Sequence, residues 1–93
     1  MKIYQSRTFE NKVKKLSKSE KEILDAEIKT IAAYPLTGEE KKGDLKGIYV
    51  HKFKIKSLQY LLSYRMSKSD LELIMIGPHE NYYKDLKSYL KRR

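Results

Sequence analysis

Apolar positions along this chain change their period once, and that change divides it in two. In the first third they recur every three to four residues. Phe9, Val13 and Leu16 stand at i, i+4 and i+7, with lysines at 12, 14 and 15 facing away, which predicts an amphipathic helix. Ser17 with Glu20, or Ser19 with Glu22, has capping-box spacing, so a second helix is expected to open there. It runs from about Glu20 to about Tyr34, with Leu24, Ile28 and Ile31 as its buried stripe and Ile23 and Ala32 in support. Pro35 ends it, because proline disfavours helical backbone in the residue before it. The two helices form a hairpin. Ahead of them, Lys2 to Gln5 alternates weakly and is expected to be a short strand.

The stretch 36–47 holds Gly38, Gly43 and Gly47 among charged residues and reads as a loop. From Ile48 the period is two. Tyr49, His51, Phe53 and Ile55 fall on one face, and Ile48, Val50, Lys52 and Lys54 on the other. Lys56-Ser57 turns. Gln59 to Met66 is a second strand, with Tyr60, Leu62, Tyr64 and Met66 on one face and Gln59, Leu61, Ser63 and Arg65 on the other. Ser67 to Asp70 is a hairpin connection to Leu71–Ile76, which is almost wholly apolar and therefore expected to be central. Gly77-Pro78 stops that strand. Tyr82, Leu86 and Tyr89 at helical spacing predict a last helix between His79 and Leu90. The expected fold is α+β, in the order β-α-α-β-β-β-α, a helical hairpin packed on a small antiparallel sheet in one domain over residues 1–93. With the helices on one face, the other face carries Lys52, Lys54 and Arg65.

Composition narrows the partners. Lysine and arginine total 21 against 12 acids, a net charge of +9 in 93 residues, which favours nucleic acid, an anionic membrane or an acidic protein. No cysteine is present, which excludes disulfides, thiol catalysis and thiolate metal sites. His51 and His79 are too few for a histidine-built zinc site without several carboxylates. Apolar stretches such as Leu61-Leu62 and Leu73–Ile76 fall far short of the roughly 20 residues of a membrane span. Met1 to Arg7 has no apolar signal-peptide core, so a cytoplasmic location is expected.

Lys52 and Lys54 share a strand face about 6.5 Å apart. That spacing suits successive phosphates or a charged transition state, and it equally suits the solvated edge of a lysine-rich protein. His79, at a strand end beside Gly77-Pro78, is expected to be exposed. An imidazole with an ordinary pKa near 6.5 suits general acid–base work, and the same position suits a plain helix-start residue. Of Tyr82 and Tyr83, one should pack inward and the other project, where it could stack on a base. His51 is expected to be half-buried against the helices. No glycine-rich phosphate loop or nucleophile elbow is present.

Several strings in order carry a family resemblance: Leu45-Lys46-Gly47-Ile48-Tyr49, then Tyr60-Leu61-Leu62-Ser63-Tyr64, then Ile74-Met75-Ile76-Gly77-Pro78-His79, then Tyr83. Over essentially its whole length the chain resembles the RelE/ParE superfamily of toxins from bacterial type II toxin–antitoxin systems. The run from His79 to Leu86 is similar to a ParE-like subgroup. The resemblance implies a toxin and, on the ribonuclease branch, a ribosome-dependent mRNA endonuclease (an mRNA interferase) that inhibits translation. It places Lys52 and Lys54 at the paired basic positions, anchored on Gly47; anchoring on the hairpin selects Lys54 and Lys56 instead. His79 falls at an arginine position after Gly77, and Tyr83 at the tyrosine position. Lys52, Lys54, His79 and Tyr83 are the expected catalytic residues, with Arg65, Lys56, Lys46 and Lys84 as nucleic-acid contacts. Leu61 departs from the family's arginine, and leucine offers no guanidinium to a phosphate. On the ParE branch the chain would inhibit DNA gyrase by protein binding; a non-toxic basic binding module is a third reading. Either toxin reading implies a cognate antitoxin, with the ribosome and mRNA, or gyrase, as target. No metal or small-molecule cofactor is expected, because lysines would hold the phosphate charge.

Overall fold

The computed structural model describes residues 1–36 and 38–91. In chain order these form β1 (Ile3–Gln5), α1 (Arg7–Lys14), α2 (Lys18–Ala33), β2 (Glu39–Glu40), a 3-10 turn (Gly43–Leu45), β3 (Tyr49–Ile55), β4 (Leu58–Ser67), β5 (Asp70–Pro78) and α3 (Tyr82–Lys91). The helical hairpin forms where its caps are. Ser6 Oγ accepts from the Phe9 amide at 3.0 Å. Of the two capping boxes the sequence offers, the chain uses Ser17–Glu20: the Ser17 hydroxyl accepts from the Glu20 amide, and the Glu20 carboxylate accepts from the Ser17 amide at 2.7 Å. That reciprocal bond holds the Glu20 carboxyl below the usual range.

The hairpin buries Phe9, Leu24 and Ile31 against Phe53, Ile55, Leu62, Tyr64, Leu71, Leu73 and Ile76 of the sheet. The phase expected for β3 and β4 holds: Tyr49, Phe53, Tyr60 and Met66 all face this core. The α+β class holds with it.

Three features differ from expectation. The sheet runs β1-β5-β4-β3-β2 and is mixed, not antiparallel, because β1 lies parallel to β5, with Ile3 opposite Leu71. A parallel neighbour needs a long connection, and the whole run from α1 through β4 supplies it. Second, the charged loop contains a strand: Glu39 pairs with Val50 and Glu40 with Tyr49. Two glutamates in sequence give no apolar alternation to read. Third, the helices do not share one face. Helix α3 packs on the opposite side of the sheet, where Tyr82 and Leu86 cover Leu45, Ile48, Val50, Leu61, Ile74 and Met75. The reason is burial: this second face is apolar over half its length and requires a cover.

One irregularity in β5 positions the site. Ser63 pairs with Met75 while Tyr64 pairs with Leu73, so Ile74 is an extra residue, a β-bulge. Leu71 and Leu73 face the hairpin, but Ile74 and Met75 both face α3. The bulge shifts the alternation by one, so that Gly77 and the residue two beyond it lie on the α3 side. Its carbonyls are satisfied: Ser6 Oγ donates to Ile74 O at 2.6 Å, and Tyr82 Oη donates to Met75 O at 2.7 Å.

Candidate functional site

The second face runs in rows across the sheet from the edge of α3, where Leu61 and Gly77 lie beneath Tyr82, out to exposed lysines on β3. Lys52 pairs with Leu61, and Leu61 with Gly77. Lys54 pairs with Gln59, and the His79 amide donates to Gln59 O at 3.1 Å. Strands stand about 4.8 Å apart, so the Lys54 and His79 backbones lie about 10 Å from each other, within joint reach of one phosphodiester through their side chains. Both lysines and His79 are exposed.

Helix α3 contributes the next member. Tyr82 is 3% exposed and donates to Ser63 Oγ at 2.8 Å as well as to Met75 O, so it is the inward ring of the pair. Burial pushes its phenol far above the usual tyrosine range, with the Ser63 bond opposing. Tyr83 is the outward ring. It stands edge-on to the His79 imidazole with centroids 6.5 Å apart, and edge-on to Tyr82 at 5.8 Å.

Lys41, in the stretch expected to be a loop, follows β2 and closes the group. Gly43 and Gly47 take positive φ of 68° and 86° and fold residues 42–47 back, so that the Lys41 amide donates to Ile48 O at 2.8 Å. The Lys41 ammonium lies 5.0 Å from the Tyr83 ring centroid and is ion-paired with Glu39. The bond to Glu39, and secondarily the Tyr83 hydroxyl, holds that ammonium above the usual lysine range. Glu39 is correspondingly lowered, first by Lys41 and then by the charge of Lys52. Lys52, Glu39, Lys41, Tyr83, His79 and Lys54 thus ring an uncharged centre of Leu61 and Gly77. The signal that could have found Lys41 is the i, i+2 spacing of Glu39 and Lys41 ahead of Gly43, a weak one without β2.

The structure gathers the four expected catalytic residues and separates most of the expected contacts from them. Arg65 lies on the same face but four residues beyond Leu61, about 13 Å along the strand, where its Nε donates to Glu72 Oε1 at 2.7 Å. Lys56 sits in the β3–β4 turn with φ of 60°, and its charge is felt by Glu20 of α2. Of the two registers for the paired lysines, Lys52 with Lys54 shares this face and Lys56 does not join it. Lys46 lines a hollow with Lys41, Lys42 and Gly43 beside the ring. Lys84 is exposed on α3. His51 faces the hairpin, half-buried, 2.6 Å from Glu27. Leu61, where the resemblance implies an arginine, is fully buried beneath α3. Among the described residues, no three His, Asp or Glu side chains converge as a metal site would require, and no helix is long and apolar enough to cross a membrane.

The fold defined by this sheet, hairpin and third helix is that of the RelE toxins. The isolated Escherichia coli RelE toxin superposes with a TM-score of 0.66 at 20% identity, covering 95% of this chain and 97% of that one. A chain of the intact E. coli RelBE toxin–antitoxin complex gives 0.68 at 20% identity, covering 85% of this chain and 96% of that one. No curated protein matches the sequence. The family model for the ParE-like toxin of type II bacterial toxin–antitoxin systems matches residues 3–87. The chain belongs to that family and is a toxin of a type II toxin–antitoxin system.

Proposed function

We propose that this toxin is a ribosome-dependent mRNA endonuclease that arrests translation without a metal. The observation that carries the reading is the placement of exposed Lys52, Lys54 and His79 on adjoining rows of one sheet face, with Tyr83 against the imidazole. In the reaction, the 2′-hydroxyl attacks the adjacent phosphorus and the bond to the 5′-oxygen breaks, leaving a 2′,3′-cyclic phosphate and a 5′-hydroxyl. A proton leaves the 2′-oxygen and another reaches the 5′-oxygen; in this reading His79 carries one of these transfers. Lys52 and Lys54 hold the charge that grows on the phosphoryl oxygens, and Tyr83 offers a ring face for a neighbouring base. The net charge of +9 suits a target walled by RNA phosphates. A cognate antitoxin, as in the RelBE complex, would cover this cationic surface.

The second reading is inhibition of DNA gyrase by protein binding. It is favoured by the ParE-like family match and by Leu61, which puts no guanidinium on the patch. One culture separates the two. The chain is induced while RNA 5′ ends are mapped and a DNA-damage reporter is read. New 5′ ends inside translated messages, with a silent reporter and loss of cleavage by roughly a hundredfold in His79→Ala, are expected. Growth arrest with intact transcripts, an active reporter and an unaffected His79→Ala variant would replace the ribonuclease with the gyrase reading.

A further inference from the structure

We infer that Lys41 is a third phosphate ligand of this patch, and that Glu39 occupies it in the free protein as an intramolecular stand-in for the substrate's phosphate. This rests on the reading of the patch as an RNA site.

Three observations carry it. The centre of the patch is neutral, since Leu61 is fully buried and Gly77 has no side chain, so any further positive charge must arrive from outside the three central strands. Lys41 does arrive, from the end of β2. Its ammonium stands at the Tyr83 ring, and that ring in turn stands against His79, so Lys41 and the imidazole are neighbours of one aromatic side chain. Its side chain is only 22% exposed, whereas Glu39 is 62% exposed. The lysine is therefore held in place and its carboxylate partner is the looser member of the pair.

Glu39 has what a phosphate oxygen would offer there: a negative charge shared between Lys41 and Lys52. An exposed carboxylate loses little on release to water, while a phosphodiester seated at Lys41 takes over its ion pair and lies in the field of Lys52. Binding thus exchanges one anion for another. Tyr83 keeps the cation at its ring throughout.

The test uses the purified full-length chain and a single-stranded DNA octamer, which lacks the 2′-hydroxyl and is not cleaved, with affinity followed against salt concentration. Lys41→Gln is expected to weaken binding about tenfold and to reduce the slope of log K against log salt by about 0.7, one single-strand phosphate contact. Lys41→Arg should bind as the parent does. Glu39→Gln should tighten binding several-fold, and that gain should vanish in the Glu39→Gln, Lys41→Gln double variant. A Lys41→Gln slope equal to the parent's overturns the assignment, and does so outright if Tyr83 ring resonances shift while the slope stays, since Lys41 would then only position the ring. A Glu39→Gln gain that persists without Lys41 overturns the exchange. If Lys52→Gln with Lys54→Gln also leaves affinity unchanged, the failure belongs to the RNA site itself.

Discussion

Two adjacent tyrosines show how residue chemistry is divided in this toxin. Tyr83 spends its ring on Lys41 and His79 at the surface, while Tyr82 spends its hydroxyl on the interior. Tyr82 Oη satisfies both the buried Ser63 hydroxyl and the Met75 carbonyl at the bulge. Tyr82→Phe is therefore expected to cost about 1–2 kcal/mol, measured as a lower urea midpoint. The same residue shapes the alkaline limb of stability. Its phenol is raised by burial above the ordinary value of 10.0, so above that pH the folded chain binds more protons than the unfolded one. Stability is full below the ordinary value and falls as pH rises past it. Burial raises Tyr64 in the same direction. Tyr82→Phe should flatten this alkaline loss in part, with the Tyr64 share remaining; an unchanged slope would show that the Tyr82 phenol titrates normally.

At the scale of elements, the bulge in β5 and the cap of α1 are one device. Ser6 Oγ accepts from the Phe9 amide to start the helix and donates to the Ile74 carbonyl that the bulge exposes. Ser6→Ala removes both bonds and is expected to cost about 1–2 kcal/mol. Amide exchange should speed up at Phe9. A helix-cap effect alone would leave the α3 side of the sheet unmoved, whereas the shared device predicts that resonances of Tyr82 and His79 shift as well. The β2 strand depends on a different contact. Tyr64 Oη donates to Pro35 O at 2.6 Å, and a Cβ at Gly38 would collide with that hydroxyl. The small residue lets the chain pass Tyr64 and enter β2, which sets Glu39 and, just past its end, Lys41.

For the molecule as a whole, the surplus of nine positive charges acts at a distance that no single contact does. Association with a cognate antitoxin is expected to slow several-fold between roughly 50 and 200 mM salt, with dissociation changing less, because charge steers encounter more than it holds the docked complex. Stopped-flow association rates that do not vary with salt would remove steering from this partner. The charge is also unevenly used. Arg65 is matched by Glu72 and Lys41 by Glu39, while Lys52 and Lys54 project from the open face of the sheet.

Local periodicity alone determined the helical hairpin, the facing of β3 and β4, and the shared face of Lys52 and Lys54, because each of these depends on residues within a few positions of one another. The inward and outward roles of Tyr82 and Tyr83 follow from the same short-range spacing. What lay beyond the sequence was set by pairings between distant segments. An all-apolar run such as Leu71–Ile76 carries no alternation to reveal a bulge, yet the bulge decides on which side of the sheet His79 emerges. Only the docking of α3 on Val50, Leu61, Ile74 and Met75 fixes Tyr83 on the lysine side of the sheet, and only the pairing of Glu39–Glu40 with β3 delivers Lys41. A candidate site assembled from β3, the end of β5 and α3 on one face of the sheet exists only once the strands have paired and α3 has docked, since burial of that face is the force that gathers it.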